Sequence, residues 1–197
     1  MTFADQPIGE FLDDVASGQV TPSGGAVAAI GGAMGAALCE MVCIHTVGTD
    51  GTQTAPAELR EVGDALADRR ERLLDLADED ATAVDAVGDA FESGDDARIQ
   101  AASRRSTEVP LETAEVCLTV VEHARTVTAK GTAVAVPDAA VGALLAAAAL
   151  QASVSTVRAN LDMLDDESVV AAMRQRADEA EAAGEAALES AVANAER

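Results

Sequence analysis

The sequence predicts an all-α fold: one antiparallel bundle of about six helices spanning 1–197. Three observations carry this. Hydrophobic residues make up 49% of the chain but aromatics only 2%, with no Trp or Tyr, so the core is built from Ala, Val, Leu, Ile and Met. Ala and Leu favour helices, and few runs alternate as strands do. Short connections between long helical patterns place neighbouring helices antiparallel. The 197 residues suffice for one domain with a sizeable core.

The elements follow in order. Residues 7–17 form a short helix, with Pro7 near its first turn and Gly18 just past its end. A turn at 21–25 opens a second helix, 24–46, which is small and apolar and carries one acidic residue, Glu40. Residues 47–56 (VGTDGTQTAP) read as a polar loop. From Ala57 to about Phe91, Leu59, Val62, Leu66, Leu73 and Leu76 mark an amphipathic helix. ESGDD at 92–96 is a break. Residues 97–129 are helical, bent or interrupted at Pro110. KGTAVAVP at 130–137 is a loop, after which Asp138 stands where an N-cap would, before an apolar helix over 139–164. Asp165 and Asp166 break that helix, and 168–196 form a charged terminal helix.

Charge narrows the function classes. The chain has 35 acidic against 13 basic residues, a net charge of −22, and Lys130 is its only lysine. Such a surface opposes binding to nucleic acid or to an anionic membrane. It reads as adaptation to concentrated salt, hence a halophilic source. Cys39, Cys43 and Cys117 are an odd number, and the N-terminus lacks a basic region followed by an apolar one, so a reducing cytoplasm with free thiols is expected. Cys39 and Cys43 lie one helical turn apart with His45 on another face, which reads as core rather than metal site. The longest apolar runs, 24–39 and 139–150, fall short of a membrane span. Gly31 and Gly35 have the spacing of a close helix contact. The helices at 24–46 and 139–161 lack a polar face, which predicts a homodimer that covers part of them.

Five segments carry a resemblance. They are TPSGGAVAAIGGAMGAALCEMV from Thr21, Asp78-Glu79-Asp80-Ala81, Val109-Pro110-Leu111 ahead of Cys117, Pro137-Asp138-Ala139, and Val157-Arg158-Ala159-Asn160-Leu161. In this order they resemble the cyclodeaminase/cyclohydrolase family of folate one-carbon metabolism, which includes the C-terminal domain of formiminotransferase-cyclodeaminase. The family typically has Thr-Pro-Gly-Gly-Gly-Ser in the first turn, Asp-x-Asp-Ala, Ser-Asp-Ala, and Asn-Val-x-x-Asn-Leu. The chain departs from it at Ser23, Ala26, Pro137 and Ser155, and also at Thr132, where Asn is usual, and near Val84, where an aromatic is usual.

The resemblance implies a tetrahydrofolate substrate with a one-carbon unit between N5 and N10, and no cofactor beyond it. Either ring closure of the formimino form expels ammonia, or hydrolysis of the methenyl form gives 10-formyltetrahydrofolate. A carboxylate would stabilise the methenyl cation and a base would activate water. Asp138 is the first candidate and is equally readable as an N-cap. Asp80 is the second, against a solvated helix acid. Ser23, Gly24 and Gly25 offer a hydroxyl and backbone N–H groups, or simply a tight helix start. Asn160 would bond pterin or backbone. Lys130 and Arg158 would meet the anionic tail of folate, or are surface charges. The alternative function is a non-catalytic folate- or anion-binding helical dimer, or a structural bundle, which the lost polar positions favour.

Overall fold

A computed structural model describes residues 2–48 and 57–196. Among them are six α-helices, two short 3-10 turns and no strand. The helices are α1 (Ile8–Val15), α2 (Gly24–Val47), α3 (Ala57–Ser93), α4 (Asp96–Lys130), α5 (Val136–Asn160) and α6 (Glu167–Ala195). Helices α2, α3, α4 and α5 form a ring in which each packs on the next and α5 closes on α2, while α6 covers α4 and α5.

The breaks read from the sequence take definite form. Gly94 adopts φ 66°, which ends α3, and Asp95 then caps α4 by accepting from the Ala97 and Arg98 N–H groups at 3.0 and 3.3 Å. Asp166 caps α6 in the same way through Ser168 and Val169. Most of the polar loop predicted at 47–56 lies outside the described residues.

Three expectations need correction. Pro110 does not interrupt α4, which runs unbroken from Asp96 to Lys130. The proline removes the N–H that would reach the Ser106 carbonyl, and the Asn160 Nδ2 group donates to that carbonyl instead, at 2.9 Å. Asp138 is not an N-cap. Helix α5 starts at Val136, with Ala135 at the cap position and Pro137 inside the first turn, so Asp138 is an exposed first-turn acid. The helices do not fall short of a membrane span: Gly24–Val47 and Val136–Met163 are each long and apolar enough to cross a bilayer, but half of the apolar stretch in each is buried inside the bundle.

Glycine sets the closest approach between α2 and α5. A Cβ on Gly35 would lie 2.6 Å from the Gly142 carbonyl oxygen, and one on Gly142 would lie 2.7 Å from the Gly35 carbonyl oxygen. Gly32 admits the Cys117 thiol from α4 in the same manner, at 2.6 Å from a Cβ. Gly31 differs from its neighbours, having nothing within 4 Å of a Cβ. The expected Gly31/Gly35 contact is thus made by Gly35 alone.

Salt bridges cross-link α3 and α4 on the surface. Arg72 holds Glu79 at 2.5 Å and Glu112 at 2.7 Å, and Arg105 also pairs with Glu79. Half-exposed pairs of this kind contribute little each. Each joins groups already counted in the net charge of −22, which they leave wholly uncompensated. Melting temperature should therefore rise along a potassium chloride series as the repulsion is screened. A flat series would show that the acidic surface carries no such penalty.

Candidate active site

The site is built on the N-terminus of α2. Ser23 precedes the helix in an extended conformation, and its side chain makes no capping bond of its own. Its hydroxyl instead donates to Oδ2 of Asp80 on α3 at 2.8 Å, and the Ala26 N–H donates to the same oxygen at 2.9 Å. Asp80 is thus the acceptor for the first turn of a helix 54 to 57 residues away in sequence. It is only 4% exposed, which contradicts its reading as a solvated helix acid. Gly25 is what allows this approach, since a Cβ there would lie 2.1 Å from the Asp80 Oδ1 atom. Burial raises the Asp80 carboxyl above its ordinary range, and the Ser23 hydroxyl and Ala26 N–H partly oppose that rise.

The candidate residues divide between the two ends of the bundle. Ser23, Gly24, Gly25, Asp80, Asn160 and Arg158 share one end. Asn160 joins it because α5 runs antiparallel to α4 and ends beside Ser106. Its Nδ2 group is committed to the carbonyl that Pro110 leaves free. Arg158 is forked onto Asp178 at 2.6 Å and Glu181 at 2.7 Å, both on α6. Lys130 and Asp138 lie at the other end. Lys130 pairs with Glu58, and the residue after Asp138 offers its carbonyl to the Cys39 thiol at 3.7 Å. From Ala26, level with Asp80, to Cys39, level with Asp138, is 13 residues of α2, or about 20 Å along the axis. Asp80 and Asp138 of one chain therefore cannot act on one reacting carbon. Both cations expected to meet an anionic tail carry acidic partners.

Two features escaped the sequence reading. The Arg72–Glu79–Arg105–Glu112 network borders a groove of about 350 Å³ lined by Asp78, Glu79, Thr82 and Arg105. A second cavity of about 360 Å³ opens between α2 and α3 at the end away from Asp80, where Glu40 and Arg60 face an apolar wall of Cys43, Ile44 and Leu59. Only i, i+4 spacing within each helix was legible for these groups, because their partners lie across the bundle. The cavity at Glu40 and Arg60 has a shape for a ligand but no carboxylate set against a hydroxyl. The Ser23 end has that pairing.

The cysteines are buried, and burial pushes the Cys39 thiol up to about 12, Cys43 up to about 11 and Cys117 up to about 12. They stay protonated at neutral pH and act as small core residues. Among the described residues, no three His, Cys, Asp or Glu side chains converge as a metal-ligand set. What the Ser23 end offers chemically is a carboxylate of raised proton affinity, a hydroxyl that bridges it to the surface, and the first N–H groups of a long helix.

Known proteins match this architecture along nearly its whole length. A family described as formiminotransferase-cyclodeaminase matches residues 7–179. A methenyltetrahydrofolate cyclohydrolase from Methylorubrum extorquens is 37% identical over 171 residues, covering 82% of each chain. The crystal structure of formiminotetrahydrofolate cyclodeaminase from Thermotoga maritima superposes with a TM-score of 0.92 at 28% identity, covering 98% of this chain and 97% of that one.

Proposed function

This chain belongs to the formiminotransferase-cyclodeaminase family, it is an enzyme acting at the N5/N10 one-carbon bridge of tetrahydrofolate, and we propose that its reaction is the hydrolysis of the methenyl form to 10-formyltetrahydrofolate. The choice of hydrolysis over ring closure is supported by the higher identity to the cyclohydrolase, 37%, than to the cyclodeaminase, 28%. The observation that carries the site is the Ser23–Asp80 hydrogen bond at the head of α2.

The methenyl carbon is electrophilic because its positive charge is shared with N5 and N10. A water beside Ser23 attacks that carbon. As the new C–O bond forms, the water gives a proton to the Ser23 oxygen, and Ser23 passes its own proton to Asp80. The resulting tetrahedral carbon carries a hydroxyl. Asp80 then returns its proton through Ser23 to N5 as the bond from the carbon to N5 breaks and its electron pair stays on N5, and the carbonyl of the N10-formyl group forms as the hydroxyl releases its proton to solvent, the one proton the reaction liberates. The raised proton affinity of Asp80 suits the first transfer. Gly24 and the first N–H groups of α2 would receive a polar edge of the pterin.

Since Asp138 of the same chain lies at the far end of the bundle, Asp138 of the partner subunit is the carboxylate that stabilises the cation in this reading. Because it caps nothing, Asp138→Asn should leave the fold intact. Turnover should fall by roughly a hundredfold. Circular dichroism and loss of methenyltetrahydrofolate absorbance measure the two effects, and an unchanged rate would remove Asp138 from the mechanism.

We also read the protein as a homodimer, halophilic and cytoplasmic, without a bound cofactor. The dimer is supported by apolar side chains left open on α2 and α5: Val27, Met34, Val141, Leu144 and Leu145 are each more than one-third exposed. The proposed reaction is tested by incubating the purified protein with methenyltetrahydrofolate and, separately, with formiminotetrahydrofolate. The expected result is accelerated formation of 10-formyltetrahydrofolate from the first. Ammonia release from the second, without hydrolysis of the first, would assign the protein as a cyclodeaminase instead.

A further inference from the structure

Helix α3 outruns the helix it packs against. A Cβ on Gly63 of α3 would meet Cys43 of α2 at 3.2 Å, one on Gly32 of α2 would meet Leu73 of α3 at 3.3 Å, and one on Gly25 would meet Asp80. The contacts step in opposite directions along the two helices, so α2 and α3 are antiparallel and Asp80 is level with the first turn of α2. Helix α3 then continues to Ser93, about three and a half turns past that point.

The face that packs on α2 continues with it. Leu59, Leu66, Leu73 and Asp80 recur every seven residues, and the next member of that series is Val87. Gly63, Arg70 and Ala77 form a companion series, which runs on to Val84 and Phe91. At about 100° per residue, Val84, Val87 and Phe91 lie within about 40° of Asp80 around the helix axis. Asp85 and Asp89 fall on other sides of the helix. The overhang is therefore apolar where α2 no longer covers it. Val84 and Val87 are half-buried, and Phe91 is 56% exposed. The other two phenylalanines are committed to each other, Phe3 packing edge-on against Phe11 with ring centroids 5.4 Å apart.

This apolar ledge begins at the reaction site. The one-carbon unit of the substrate lies between N5, which belongs to the pterin, and N10, which bears an aminobenzoyl ring. With that unit at Ser23, the two parts leave in different directions. The pterin is edged with donors and acceptors and suits the free N–H groups at the head of α2. The aminobenzoyl ring is flat and largely apolar, and the ledge offers it two valines and an open aromatic ring. Along the axis Val84 is about 6 Å and Phe91 about 16 Å from Asp80. Helical side chains lean toward the N-terminus of their helix, so the Phe91 ring leans back toward Asp80 and shortens that span. We propose that the α3 face from Val84 to Phe91 is the subsite for the aminobenzoyl ring of folate, and that Phe91 is the side chain that recognises it. The subsite rests on the folate reading of the Ser23 end and adds to it the surface that holds the substrate beyond N10.

The test needs no turnover. The chain has three Phe and no Trp or Tyr, so protein labelled on phenylalanine shows the rings of Phe3, Phe11 and Phe91 alone. The probe is 5-formyltetrahydrofolate. Adding it should shift the ring signals that are missing from the Phe91→Leu protein and leave those of Phe3 and Phe11 in place. In titration calorimetry, Phe91→Ala should weaken binding about tenfold, and Phe91→Tyr, which keeps the ring, should bind as the wild type does. Circular dichroism checks the fold of each variant, and the signal shift is read on the unsubstituted protein. Wild-type binding with unmoved Phe91 signals, or unchanged affinity in folded Phe91→Ala, overturns the subsite and leaves the folate reading standing. No binding to the wild type would remove the folate reading and the subsite with it. A lower mass for Phe91→Ala than for the wild type in light scattering would assign the ledge to a second copy of the chain and overturn its assignment to substrate.

Discussion

Replacing Asp80 with Asn should lower kcat for methenyltetrahydrofolate hydrolysis by roughly a hundredfold or more. The amide oxygen can still accept from Ala26 or Ser23, so the α2 terminus should hold its place, but the amide cannot take a proton. The pH profile separates this role from a structural one. In the wild type the rate should rise with pH through the Asp80 pKa, which burial places above the ordinary Asp value of 3.8. The Asn variant should lose that limb. Stability should move in the opposite sense. A carboxyl whose folded pKa is raised contributes stability while protonated and loses it as pH climbs from the ordinary value through the folded one, and Asp80→Asn should remove that slope. Ser23 provides a rescue. Relative to the family's usual first turn, this chain carries its hydroxyl at 23 rather than at 26. Ser23 and the Ala26 N–H both reach the same oxygen of Asp80. Ser23→Gly should therefore lose most activity, and Ser23→Gly combined with Ala26→Ser should regain a large part of it. Equal activity in all three proteins would show that no hydroxyl relays the proton.

The second large effect is on stability. Gly35→Val should destabilise the fold by about 1–3 kcal/mol or more, because its first added carbon would sit 2.6 Å from the Gly142 carbonyl oxygen and 2.9 Å from the Ala146 nitrogen. Both neighbours are backbone, so relief requires moving α5 away from α2. In a domain this size each kcal/mol lowers the melting temperature by about 2–4 °C. Gly31 is the control, four residues away on the open face. Gly31→Ala should leave monomer stability unchanged or raise it slightly, since Ala favours the helix over Gly. An equal loss at both positions, measured by thermal denaturation, would contradict the packing described here.

Much of the fold was legible because it rests on local chemistry. The apolar spacing in α3, the breaks at 92–96 and at Asp165 and Asp166, and the all-round apolar character of α2 and α5 are written in consecutive residues. The misreadings have a common physical origin. Pro110 looked like a break because its missing N–H leaves a carbonyl unsatisfied, and the group that satisfies it, Asn160, lies 54 residues on from Ser106. Asp138 looked like a cap because an acid after a loop usually is one, whereas Pro137 one residue earlier already belongs to the first turn. The site was half legible. The Gly-rich turn and Asp80 could each be picked out, but their bond spans 57 residues and exists only once α2 and α3 pack antiparallel. No spacing rule could show that Asp138 falls at the far end.

The most direct measurement of the central claim is the position of a bound folate. Co-crystallisation with a stable N5-formyl analogue should place the pterin and its one-carbon unit within hydrogen-bond reach of Ser23 at the head of α2. Folate seated instead in the cavity between Glu40 and Arg60, at the opposite end of the same helices, would contradict the account.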